Sequence, residues 1–125
     1  MFIDDFKREV GKQLQIAAEL MKQGSPAGYA YLKNTLNHAL FFGYEDESIL
    51  LLPNLLGFVR TEVVTKIASQ NKSALVVIGG ELELIANALI NGESFEKIIK
   101  PASNINLIIF KEWRRIITSP DFVPK

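Results

Sequence analysis

The chain has 125 residues and a mass of 14.0 kDa, with 48% hydrophobic and 22% charged residues. That length supplies one core burying about two-thirds of the unfolded surface, so a single domain over 1–125 is expected, and the composition excludes disorder as the resting state. Fourteen Lys and Arg balance 14 Asp and Glu, leaving no net charge to draw the chain towards nucleic acid or anionic membrane.

The absence of Cys excludes disulfides, thiolate zinc sites and Cys nucleophiles. A single histidine, His38, excludes a His-rich metal cage. The start, Met1-Phe2-Ile3-Asp4-Asp5-Phe6, is acidic where a secretory signal is basic. The longest uncharged run, Ser48 to Val59, is short for a bilayer span and contains Pro53. These features lead us to expect a cytoplasmic protein without membrane or cofactor. The mean hydropathy of +0.14 then implies apolar residues spread over the chain, some of them available to a partner.

From Asp4 to Lys22, Phe6, Val10, Leu14, Ala17 and Met21 recur at helical spacing and form one buried stripe. Asp4 and Asp5 suit the helix N-terminus and Lys22 its C-terminus, while Gly24 suits a left-handed stop. Gly11, in mid-helix, is either tolerated or a point of close helix contact.

Ser25 and Pro26 then open a second helix as N-cap and first residue, running to about Phe42. Tyr29, Leu32, Leu36, Ala39 and Leu40 form one side of it. Tyr31, Thr35, His38 and Phe42 form a second, aromatic side about 180° away. Such a helix is either central or faces a partner, and aromatic residues are enriched at interface hot spots. A loop follows carrying Tyr44 and the acidic run Glu45-Asp46-Glu47. It is read either as a solvated run serving the next helix or as a patch for a basic partner.

Pro53 separates a short turn, Ile49–Leu52, from a third long helix. That helix is predicted from Pro53 to Ser69, burying Leu56, Val59, Val63 and Ile67. Gln70-Asn71-Lys72-Ser73 reads as a polar loop.

Between Ala74 and Asn91, Leu75, Ile78, Leu82, Ile85 and Leu89 alternate at three and four, predicting one central helix. The competing reading is a strand over Ala74–Ile78, a Gly79-Gly80 turn and a helix from Glu81, a layout that can cradle phosphate. Glu81 and Glu83 would repel an anion there, so the glycines read better as small residues at a helix crossing.

Beyond Asn91-Gly92, a short helix Phe95–Lys100 is expected to stop at Pro101. A last one, Asn104 to Thr118, carries Ile105, Ile109, Trp113 and Ile116 on one side and Lys111, Arg114 and Arg115 opposite. The whole reads as an all-α bundle or short stack of five to six helices.

No phosphate-loop, dinucleotide, zinc-protease or nucleophile-elbow motif is present. His38 lacks companions for a triad or metal set, and Glu93 and Glu96 have no His or Asp beside them. A small, neutral, Cys-free helical chain without catalytic groups has the profile of a non-enzymatic protein-binding domain. Immunity and antitoxin-type inhibitors share that profile. The candidate partner-binding residues are Tyr31, His38, Phe42, Tyr44, Glu45, Asp46 and Glu47. The alternative is a small subunit of a nucleic-acid-associated complex, using Lys111, Arg114 and Arg115.

Overall fold

The structure, a computed structural model, describes residues 2–41, 52–56 and 59–121. Among the described residues, six helical segments follow one another: α1 (Phe2–Lys22), α2 (Ala27–Phe41), α3 (Leu52–Leu55), α4 (Thr61–Gln70), α5 (Lys72–Ile90) and α6 (Glu96–Ile117). Among the described residues there is no strand, and the architecture is an all-α bundle around one core.

Helix α1 lies between α2 and α5 and touches both through glycines. A Cβ on Gly28 would stand 2.5 Å from the Ala17 carbonyl oxygen. One on Gly79 would stand 2.8 Å from the Ala18 oxygen and 2.9 Å from the Lys22 nitrogen. One on Gly11 would stand 2.9 Å from the Ala86 oxygen and 2.8 Å from Ile90 Cγ1. Pairing Gly11 with Ala86 and Ile90, and Ala18 and Lys22 with Gly79, makes α1 and α5 antiparallel. Their backbones approach at both ends of the crossing.

The predicted stripe of α1 is borne out, with Val10, Leu14, Ala17 and Met21 buried and Phe6 half-buried. The helix closes on Gly24, whose φ of +87° only glycine adopts without strain. Ser25 N–H donates to the Leu20 carbonyl at 2.9 Å and Gly24 N–H to that of Met21 at 2.9 Å. The same paired closure ends α5, where Gly92 has φ +67° and Glu93 N–H reaches the Ala88 oxygen at 2.9 Å.

The stretch from Lys72 to Ile90 is one unbroken helix, so the strand–glycine–helix cradle does not form. Nine of its residues are buried, among them Leu75, Ile78, Leu82, Ile85 and Leu89. By length and composition alone α5 could cross a membrane, although half of it is buried inside the bundle, as in the core helix of a globular fold.

Three expectations are corrected. The long helix over Pro53–Ser69 is interrupted: Val59 and Arg60 are non-helical and α4 starts only at Thr61, burying Val64 where Val63 and Val59 are half-buried. Two side chains of α2 hold the break open. Val59 N–H donates to the Tyr29 hydroxyl at 3.0 Å, and Lys33 Nζ donates to the Val59 carbonyl at 3.0 Å.

The second correction concerns the polar loop, which shrinks to Asn71. Its backbone N–H closes α4 on the Ile67 oxygen at 2.7 Å, while its side-chain oxygen caps α5 by accepting from Ala74 N–H at 3.3 Å.

Third, Pro101 does not stop a helix. Helix α6 continues through it, forfeiting one backbone bond to residue 97. Pro101 is buried with Ile98, Ala102 and Ile105, and that packing offsets the loss.

Candidate functional site

A groove of about 430 Å³ lies between α1 and α2. Helix α1 contributes Phe6, Glu9, Val10 and Gln13, and α2 contributes Tyr31, Asn34, Thr35, His38 and Ala39. Both sets follow the three-and-four spacing of one helix face. Val10 and Ala39 are buried and form the floor. Phe6, Gln13, Tyr31 and Thr35 are half-buried walls, while Glu9, Asn34 and His38 form an exposed rim.

Internal bonds brace the walls. The Tyr31 hydroxyl donates to Gln13 Oε1 across the groove. Thr35 Oγ1 donates to the Tyr31 carbonyl one turn back at 2.9 Å, which fixes its rotamer. The result is an apolar trough with a few polar groups on its edge, within the size range of ligand clefts.

Of the candidate partner-binding residues, the structure brings Tyr31 and His38 together in this groove. Phe42, Tyr44, Glu45, Asp46 and Glu47 lie outside the described residues. The second side of α2 is therefore neither wholly core nor wholly surface: Tyr31 packs partly against the core while His38 stands on the rim. Sequence reasoning missed the α1 half of the groove, although Phe6 and Val10 were already marked as apolar. Glu9 and Gln13 sit beside them one turn apart, and that spacing was the available signal.

Lys111, Arg114 and Arg115 are all exposed on α6. Arg115 Nε donates to Glu112 Oε2 at 3.1 Å, and Glu112 Oε1 accepts from Asn71 Nδ2 at 2.6 Å. Part of the basic face thus braces the α4–α5 joint.

The same helix exposes an apolar row that was not anticipated: Ile99, Leu107, Phe110 and Ile117, with Phe110 64% exposed. Helix α5 exposes Val76, Val77 and Leu84 on its outer side.

Elsewhere, Glu81 Oε2 is enclosed without a hydrogen-bond partner. Lys22 Nζ pairs with Glu83 Oε2 at 2.9 Å across the α1–α5 crossing, and this carboxylate holds the ammonium above its usual pKa. Among the described residues, no group of three or more acidic or His side chains is placed to hold a metal ion. No family model, curated protein or solved structure matches the chain.

Proposed function

We propose that the chain is a non-enzymatic protein-binding module, with an inhibitor of its partner as the form that best suits its size. The α1–α2 groove is its docking site. The observation that carries this reading is that groove: two helices line it at matched spacing, with an apolar floor and a polar rim. An apolar or aromatic side chain of the partner fills the trough, and Glu9, Asn34 and His38 meet polar groups around it. Such a centre-and-rim layout is typical of protein interfaces.

The competing nucleic-acid reading rests on Lys111, Arg114 and Arg115. It is weakened by the engagement of Arg115 with Glu112 on its own helix.

Filling the groove from its wall tests the proposal. Thr35→Trp is expected to keep the melting temperature close to that of the parent while abolishing capture of the protein partner from the native cell. Capture that survives the filled groove, or a parent chain that captures nothing, defeats the proposal.

A further inference from the structure

Helix α6 carries five cations against two acids, on a chain whose total charge is zero. Neutral composition therefore hides a segregated helix. All five cations are exposed, whereas Glu112 is largely enclosed by its bonds to Asn71 and Arg115, leaving Glu96 as the exposed acid.

The segregation is angular as well. With Ile105 at the centre of the buried stripe, Ile99, Phe110 and Ile117 lie about 120–140° round the helix and Leu107 about 200°. Lys100 and Lys111 follow at about 220–240°, with Lys97 and Arg115 at about 280°, while Arg114 and Glu96 fall at about 180°, within the exposed apolar sector. A buried apolar sector is thus followed by an exposed apolar one that also carries Arg114 and, in the first turn, Glu96, and then by a cationic one. The exposed apolar sector runs about 27 Å along the axis, from Ile99 to Ile117.

We infer that this exposed arc of α6 is a docking surface for an anionic lipid bilayer, on which the protein lies peripherally. Three properties select that occupant. The arc runs along one helix from Ile99 to Ile117, an extent that suits a broad planar surface. Its apolar residues are bordered by cations, so apolar side chains enter the acyl boundary while ammonium and guanidinium groups reach the anionic headgroups. A second copy placed on the same arc would bring cation row near cation row, which opposes a symmetric dimer.

The inference is independent of the α1–α2 groove. It departs from the expectation of no membrane contact, which rested on the balanced charge, the acidic start and the shortness of the longest uncharged run.

The experiment uses the full chain with vesicles of phosphatidylcholine alone and of phosphatidylcholine with about one-quarter phosphatidylserine. Sedimentation with the vesicles and fluorescence of the single Trp, Trp113, report binding. Binding is expected on the anionic vesicles, weak on the neutral ones, and falling as salt rises. The paired change Leu107→Ser with Phe110→Ser should lower it about tenfold or more with the helical melt preserved.

Lys100→Gln with Lys111→Gln should weaken anionic binding and flatten its salt dependence. Ile16→Ser, which removes an exposed apolar residue of α1, should leave binding unchanged.

No binding to anionic vesicles overturns the inference. So does binding indifferent to Leu107 and Phe110, as it would be for simple phosphate or nucleic-acid attraction. Self-association that disappears with Leu107→Ser and Phe110→Ser, in a chain that ignores vesicles, assigns the arc to a second copy instead. An acidic peptide that binds the arc while vesicles do not assigns it to a protein.

Discussion

The Tyr29 hydroxyl on α2 accepts a 3.0 Å hydrogen bond from the backbone N–H of Val59, in the break between α3 and α4. The phenol is buried, so the bond satisfies a polar group that water does not reach. Tyr29→Phe leaves the packing in place and strands the Val59 N–H. It is expected to cost about 1–2 kcal/mol, read as a lower denaturant midpoint at unchanged slope. A midpoint equal to that of the parent would show that the bond does not hold the break.

The same residue makes the fold sensitive to alkali. Burial raises the Tyr29 pKa above its ordinary 10.0. The hydrogen bond and charge of Glu83 raise that of Lys22 above 10.5. Both groups hold their protons more tightly when folded, so their contributions are fully present below those ordinary values. They are lost as pH rises through the folded pKa values. The melting temperature should therefore hold up to about pH 10 and fall as pH rises beyond it, and Tyr29→Phe should flatten the fall. The Lys22–Glu83 share is screened by salt, since that pair faces solvent; Lys22→Met should remove the salt-sensitive part.

Adjacent glycines on α5 are expected to respond in opposite directions to the same methyl group. A Cβ at Gly79 meets the Ala18 carbonyl oxygen and Lys22 nitrogen within 3 Å, whereas one at Gly80 meets nothing within 4 Å. Gly79→Ala must push α1 and α5 apart and should destabilise by about 1–3 kcal/mol. Gly80→Ala only improves helix propensity and should stabilise by about 1 kcal/mol. Thermal melts of the two variants, side by side, decide it; equal shifts would contradict the crossing geometry.

Asn71 joins three helices, and its substitutions separate its roles. Asn71→Ala removes the cap of α5 and the bond to Glu112, at an expected cost of about 1–3 kcal/mol. Aspartate is as good an N-cap, yet Asn71→Asp would set a second carboxylate against Glu112, 2.6 Å away in the parent contact. It should therefore fail to restore stability near neutral pH. Full rescue by aspartate would mean that the bond to Glu112 contributes nothing.

The buried stripes of α1, α2 and α5 were legible because apolar spacing of three and four is a property of the local chain. Leu14, Leu36 and Leu82 fall inside for that reason. The break at Val59 and Arg60 was not legible, since hydroxyl and ammonium groups on a distant helix make it. Nor was the passage of α6 through Pro101, where burial of the ring outweighs a rule about isolated helices. Gly79 and Gly80 look alike in sequence and differ only in what lies across from them.

For the candidate sites, the α2 half of the groove was visible in Tyr31 and His38. The exposed arc of α6 was overlooked once a single stripe, Ile105 to Ile116, had accounted for that helix. Ile99, Phe110 and Ile117 carried the signal at helical spacing.

The close crossing of α1 and α5 also dictates an order of events during synthesis. Gly11 finds its neighbours Ala86 and Ile90 only after most of the chain has emerged from the ribosome. Until then Ala18, which lies against Gly79, lacks the partner that covers it. A helical protein with such a sequence-distant central contact pays a large loop-closure entropy before its core forms, and folds more slowly than one built from neighbouring hairpins. Nascent chains ending before α5 should accordingly be caught by chaperones that recognise exposed apolar helices, and released once Ile90 has cleared the exit tunnel.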